Sequence, residues 1–265
     1  MNQSTTRTRL IRPGVAVALA SGLLLTACTA EKPDRSTDGR APAGQTAGRA
    51  APASATPSSP SASPTAPAEL PGLGPLTRAT VGADTRQVVV VTGEGEDSDH
   101  STVRLYERHT TRGWVPAAAA WPARNGHKGW SERHMLGDLR TPIGTFTLTD
   151  AGGKLPNPGT DLPYDLNRGP VYTASGLNPE KKSKAGALDY VVAIDYNRYP
   201  GKPPYHSGRP MGVERGGGIW LHVSHYGGTE GCVGIPREQM KQLLRALKPG
   251  AKPMVVMGPR ASLAR

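Results

Sequence analysis

From Glu31 to about Gly74 the chain carries almost no large apolar side chain, and this stretch bounds what the rest can build. Ala, Pro, Ser, Thr and Gly dominate it, as in Ala41-Pro42-Ala43-Gly44 and in the run from Ala51 to Pro60. Ordering such a segment loses conformational entropy with no burial to offset the loss. It is expected to act as a flexible tether, partly extended through its prolines. Any packed structure must then come from the sequence that follows. Only 36% of the 265 residues are hydrophobic and 5% aromatic, so a core forms only because those residues concentrate after Pro75. One domain is expected, not two.

The segment before the tether has a different character. Met1–Arg12 is positively charged, and Val15–Leu25 is apolar but too short to span a bilayer as a mature helix. It ends in Leu25-Thr26-Ala27-Cys28, which resembles the lipobox of bacterial lipoproteins. That resemblance implies a signal peptide over 1–27 and lipidation of Cys28, followed by a linker over 28–74. The expected product is exported and held by lipid at the outer face of the cytoplasmic membrane. Only one other cysteine exists, Cys232. A lipidated Cys28 leaves it as a lone thiol in an oxidising compartment, which calls for a chemical reason.

The net charge is +11, but no Lys/Arg cluster interleaved with aromatics appears, so nucleic acid is not an expected partner. Attraction to anionic lipid and wall polymers accounts for a basic exported chain more simply.

From Pro75 the pattern is mainly β. Gln87–Thr92 reads as a buried strand, Thr102–Arg108 alternates, and Arg112–Pro116 completes a meander with it. Thr145–Thr149, Tyr190–Asp195, Ile219–Val223 and Met254–Met257 read as further strands. Long Gly/Pro-bearing connections separate them, notably Ala151–Asn167 and Asn197–Gly218. One helix is expected, opening at Pro236, with Met240, Leu243, Leu244 and Leu247 on one face, and closing at Pro249-Gly250.

The chemistry concentrates between Ile219 and Pro236. Strand alternation puts Ile219, Leu221 and Val223 on the core face and Trp220, His222 and Ser224 on the other, so His222 is expected on a non-core surface. Ten residues after His222, past a Gly-rich turn, comes Gly231-Cys232. The thiolate is the reactive form of cysteine, and a neighbouring imidazole and a following helix start both favour it. The N–H groups of Gly231 and Cys232 are candidates for an oxyanion hole. His222, His225 and Cys232 supply only three of the four ligands a closed zinc site needs, so no metal and no cofactor are expected.

The element Thr229-Glu230-Gly231-Cys232 after His222 resembles the catalytic motif of the L,D-transpeptidase (YkuD-type) family. Upstream, Thr141-Pro142-Ile143-Gly144-Thr145-Phe146 resembles that family's Thr-Pro-x-Gly-x-Phe signature. The resemblance, which covers roughly Asn125 to Pro259, implies a β-sandwich or mixed sheet with one helix after the Cys; the catalytic domain is expected over 75–259, with 260–265 as a tail. It also implies a reaction. Cys232 attacks a peptidoglycan stem peptide, terminal D-Ala leaves, and the thioester passes to an amine of a neighbouring stem, giving a 3–3 crosslink. Cys232 then matches the nucleophile and His222 the general base, with Gly231, Thr229, Glu230 and His225 grouped as oxyanion or substrate-binding residues. Thr141, Pro142, Gly144 and Phe146 are expected to shape the domain.

Two positions depart from the common pattern. Glu230 stands where many members have His, and a carboxylate beside the sulfur opposes thiolate formation unless it turns away. Gly234 stands where many have an Arg that orients a substrate carboxylate; Arg237, Arg209 or Arg215 are candidates to substitute for it. The alternatives to transpeptidation are a carboxypeptidase or peptidase on wall stems, and a lipoprotein that binds wall polymer without catalysis.

Overall fold

Four consecutive valines, Val88–Val91, set the centre of the molecule. They lie in β1 (Gln87–Gly93), where Val89 and Val91 enter the principal core. Val88 and Val90 enter a second cluster on the reverse face with Tyr106, Trp114 and Val256. An unbroken apolar strand needs cover on both faces, and it has it.

The computed structural model describes residues 69–169, 186–225 and 227–265. The leader, Cys28 and the tether up to residue 68 lie outside these residues. Beyond β1 come β2 (His100–His109), β3 (Gly113–Pro116), β4 (Trp121–Arg124), β7 (Gly144–Thr147), β8 (Ala151–Gly153) and β9 (Tyr164–Leu166). β10 (Val191–Ala193), β11 (Trp220–Val223), β12 (Val233–Ile235) and β13 (Met254–Pro259) complete the main sheet, while β5 (Trp130–Ser131) and β6 (Thr141–Pro142) form a small ribbon of their own. The eleven-stranded sheet runs β7-β13-β1-β2-β4-β12-β11-β10-β8-β9, with β3 on β2. The β1–β13, β11–β12 and β8–β9 pairs are parallel and the others antiparallel. The fold is thus mainly β, in the mixed-sheet form expected.

β7 and β8 stand near opposite ends of that order, yet only Leu148–Asp150 separates them in sequence. Leu148 N–H donates to the Pro253 carbonyl, while Asp195 N–H donates to Thr147 and Ala193 N–H to Asp150. One short run of chain therefore leaves β13 and joins β10, and the sheet curls until its two ends are bridged.

Inside the curl lies α2 (Arg237–Ala246), which buries Met240, Leu243 and Leu244, with Leu247 following. The spacing is the i, i+3, i+4 face of a helix, and each fully buried leucine stabilises by roughly 1.5–3 kcal/mol. Pro236 caps the helix in extended conformation instead of opening it, because Arg237 is the first helical residue. Two shorter helices, α1 (Pro75–Ala79) and α3 (Arg260–Leu263), lie at either end of the described body. Leu70, Leu73 and Leu263 cover the reverse face of β1 and β13, and Gly74 N–H donates to the Leu263 carbonyl at 2.8 Å. The packed body thus reaches beyond 75–259 on both sides. No helix among the described residues is long and apolar enough to cross a membrane.

Candidate active site

Strand alternation places the key side chains as the sequence predicts. Ile219, Leu221 and Val223 enter the principal core, while Trp220 faces the reverse side, where it packs with Cys232. β11 and β12 are parallel with Leu221 opposite Val233 and His222 opposite Gly234. One step back along that register sets Cys232 beside Trp220, so Cys232 and His222 share a face as diagonal neighbours on adjacent strands. Gly234 keeps the space between the strands narrow. A Cβ there would stand 3.1 Å from Ser224 Cα and 3.5 Å from His222 Cε1.

The face they share is covered, which corrects the expectation of a histidine displayed at a surface. His222 is wholly buried and Cys232 is 7% exposed. Leu188, Val191, Ala193 and Trp220 surround the sulfur, and Tyr205 packs on the same cluster. The cover comes from the 197–218 connection, whose Pro204 carbonyl accepts from Trp220 Nε1 at 3.2 Å. The thiol donates to the Gly218 carbonyl at 3.5 Å. Sequence alternation finds the non-core face of a strand, but only tertiary contacts reveal that a long loop folds over it.

The helix also stands elsewhere than expected. β12 separates Cys232 from α2, and α2 packs into the principal core on the opposite face. The helix dipole acts within about the last turn. It therefore offers the thiol nothing.

The turn before Cys232 is held by Thr229. Its hydroxyl donates to the Cys232 carbonyl at 2.6 Å and accepts from Gly231 N–H at 3.1 Å. Its backbone pairs with Asn125 and His127. Gly231 has a φ of 137°, open to glycine and costly for a side chain. From below, Thr141 Oγ1 accepts from Gly126 N–H at 2.8 Å and donates to the Cys232 carbonyl at 3.4 Å. The Thr-Pro-x-Gly-x-Phe block therefore shapes the domain by propping the cysteine backbone. Thr229 likewise braces the turn with its hydroxyl already engaged, and the Gly231 N–H is engaged with it.

His222 Nδ1 lies 2.8 Å from the Val223 carbonyl, which as acceptor fixes the proton on Nδ1 and leaves Nε2 as the basic nitrogen. His225 stacks on it, with ring centroids 5.6 Å apart and planes 13° from parallel. Glu230 is exposed.

Several neighbours carried no signal in the sequence. His134 is buried, and its Cε1 lies 3.5 Å from where a Cβ on Gly231 would stand. Its Nδ1 is 2.9 Å from Asp138 Oδ1. Burial pulls its pKa below the usual histidine value, against the pull of the Asp138 carboxylate. Asn197, at a left-handed φ of 46°, donates to the carbonyls of Gly212 and Gly216 and accepts from Met211 N–H. Arg198, also buried, pairs with Asp150 and Asp195. Together they pin the root of the covering loop to the seam where the sheet ends meet. A cavity of about 670 Å³ lies elsewhere, lined by residues 82–85, 147–149, 162–163 and 252–254 with Pro249.

A thiol and an imidazole on one face of a sheet are the groups from which a cysteine nucleophile and its base can be built. The YkuD family model, the L,D-transpeptidase catalytic domain, matches residues 85–256, more than half of the chain. The chain belongs to this family, whose members are cysteine enzymes of peptidoglycan crosslinking. No curated protein matches it.

Proposed function

We propose that the protein is an L,D-transpeptidase that forms 3–3 peptidoglycan crosslinks through a thioester on Cys232. The observation that carries this is the shared face of Cys232 and His222, fixed by the β11–β12 register inside a domain of that family. The thiol turns from the Gly218 carbonyl to His222, whose Nε2 takes its proton as the sulfur attacks the stem carbonyl. With Gly231 N–H engaged by Thr229, the Cys232 N–H is the donor for the oxyanion. Collapse breaks the amide bond, terminal D-Ala leaves with the proton from His222, and the thioester remains. An amine of a second stem then attacks it, passing its proton to His222, and restores the thiol. Water in place of the amine gives carboxypeptidase activity.

Substrate entry requires the chain at Pro204 and Tyr205 to lift, because these two residues lie over the cluster that holds the sulfur. His225 orients His222 by stacking, and Glu230 lies at the outer edge where a stem passes. In this proposal residues 1–27 are removed on export, lipid on Cys28 anchors the chain, and the linker to about residue 74 gives the domain its reach into the wall.

Incubation with muropeptides bearing tetrapeptide stems tests the proposal. Wild type should release D-Ala and form 3–3 dimers, and Cys232→Ala should lose roughly a thousandfold or more of that turnover with an unchanged melting temperature. Equal turnover by both proteins would sink the assignment. D-Ala release without dimers would favour the carboxypeptidase.

A further inference from the structure

Position 234, two residues after the cysteine, is a glycine in crowded surroundings and carries no carboxylate anchor. A Cβ there would already stand 3.1 Å from the Ser224 backbone. A substrate whose leaving residue carries a free carboxylate must be held from elsewhere. Arg140 pairs with Asp97, Arg198 with Asp150 and Asp195, and Arg237 with Asp189. Arg215 buries its Nε and directs Nη1 at the Met135 sulfur.

Arg209 differs. Among the described residues no carboxylate lies within ion-pair range of it. Its Nη1 donates to the carbonyls of His206 and Gly208, which fixes the plane of the guanidinium. The opposite edge, Nε and Nη2, makes no hydrogen bond to a described residue and is not sealed from solvent. That edge presents two parallel N–H donors, the arrangement that takes a carboxylate in bidentate fashion. Burial, with the charge of Arg198 nearby, pulls its pKa below the usual guanidinium value, a strain that a bound anion would relieve.

Its place in the fold relates it to the sulfur. Arg209 lies flat on Gly217, where a Cβ would fall 2.3 Å from Nε. The next residue, Gly218, offers the carbonyl that receives the Cys232 thiol. The guanidinium and the sulfur thus contact neighbouring residues of the same loop, Gly217 and Gly218.

We infer that Arg209 is the specificity-determining residue that binds the free carboxylate of the leaving D-amino acid. The inference rests on the transpeptidase assignment, and its test is built to fail separately. KM and kcat are measured for two tetrapeptide stems that differ only in whether the terminal D-Ala is a free acid or an amide. Iodoacetamide labelling of Cys232, which needs no carboxylate, is followed in parallel. Arg209→Gln should raise KM for the acid at least tenfold, leave the amide within about twofold and leave labelling unchanged. Arg209→Lys should recover only part of the loss, because an ammonium cannot make the paired contact. Equal losses on acid and amide would overturn the carboxylate role while leaving the transpeptidase assignment standing. A wild type that processes neither stem would overturn both.

Discussion

Two parts of one sheet are built on different principles. Around β1 the strands are long, six pairs join β1 to β13 and seven join it to β2, and apolar side chains cover both faces. Around β11 the strands have three or four residues, and each neighbour is joined by three pairs. There the backbone is held by polar side chains at its margins: Thr229 and Thr141 on the Cys232 carbonyl, Asn197 on two loop carbonyls, Arg198 across the seam. The first part holds the molecule together by area. The second holds a few atoms in place by direction.

If this division is right, changes in the two parts should separate stability from turnover. The largest effect on stability belongs to the packed part. Leu244→Ala removes a fully buried side chain inside the curl and should cost about 3 kcal/mol in denaturant unfolding, with turnover per folded molecule kept. A matching loss of kcat would mean that the two parts are not independent.

Asn197→Ala should cost about 2 kcal/mol, since alanine is strained at the left-handed φ and three loop hydrogen bonds vanish. Turnover should fall as well, because the loop that carries Gly218 loses its root. Asn197→Gly relieves the strain alone. If it restores turnover, the hydrogen bonds do not hold the loop.

The smallest effect is a slope with pH. His134 is kept neutral by burial, so its pKa is lower in the folded chain than in the unfolded one. The unfolded chain binds the proton more readily, and stability is lost as pH falls below about 6.5 towards the depressed folded value. His134→Asn should flatten that part of the stability profile. An unchanged slope would show that the histidine is not titrating as its burial requires.

The packed part was the more legible in the sequence. The valine run, the alternation of β2 and the leucine face of α2 carry the periodicities that burial imposes, and all three fold as the pattern predicts. β8 did not show itself, because Ala151-Gly152-Gly153 has no strand pattern and is strand only through its neighbours. At the site, the shared face of His222 and Cys232 followed from alternation and spacing. Their concealment did not, because the covering loop is placed by Asn197 and Arg198, single polar residues that belong to no period. His134 was invisible for the same reason.

The strap formed by Leu70 and Leu73 decides where mechanical load enters the domain. A pull transmitted from upstream of Glu69 falls first on those two leucines and on the bond between Gly74 and Leu263. That attachment lies on the back of β1 and β13, with β2, β4 and β12 between it and β11. A force applied there would therefore act first on β1 and β13 and would reach β11 only through the three strands between them.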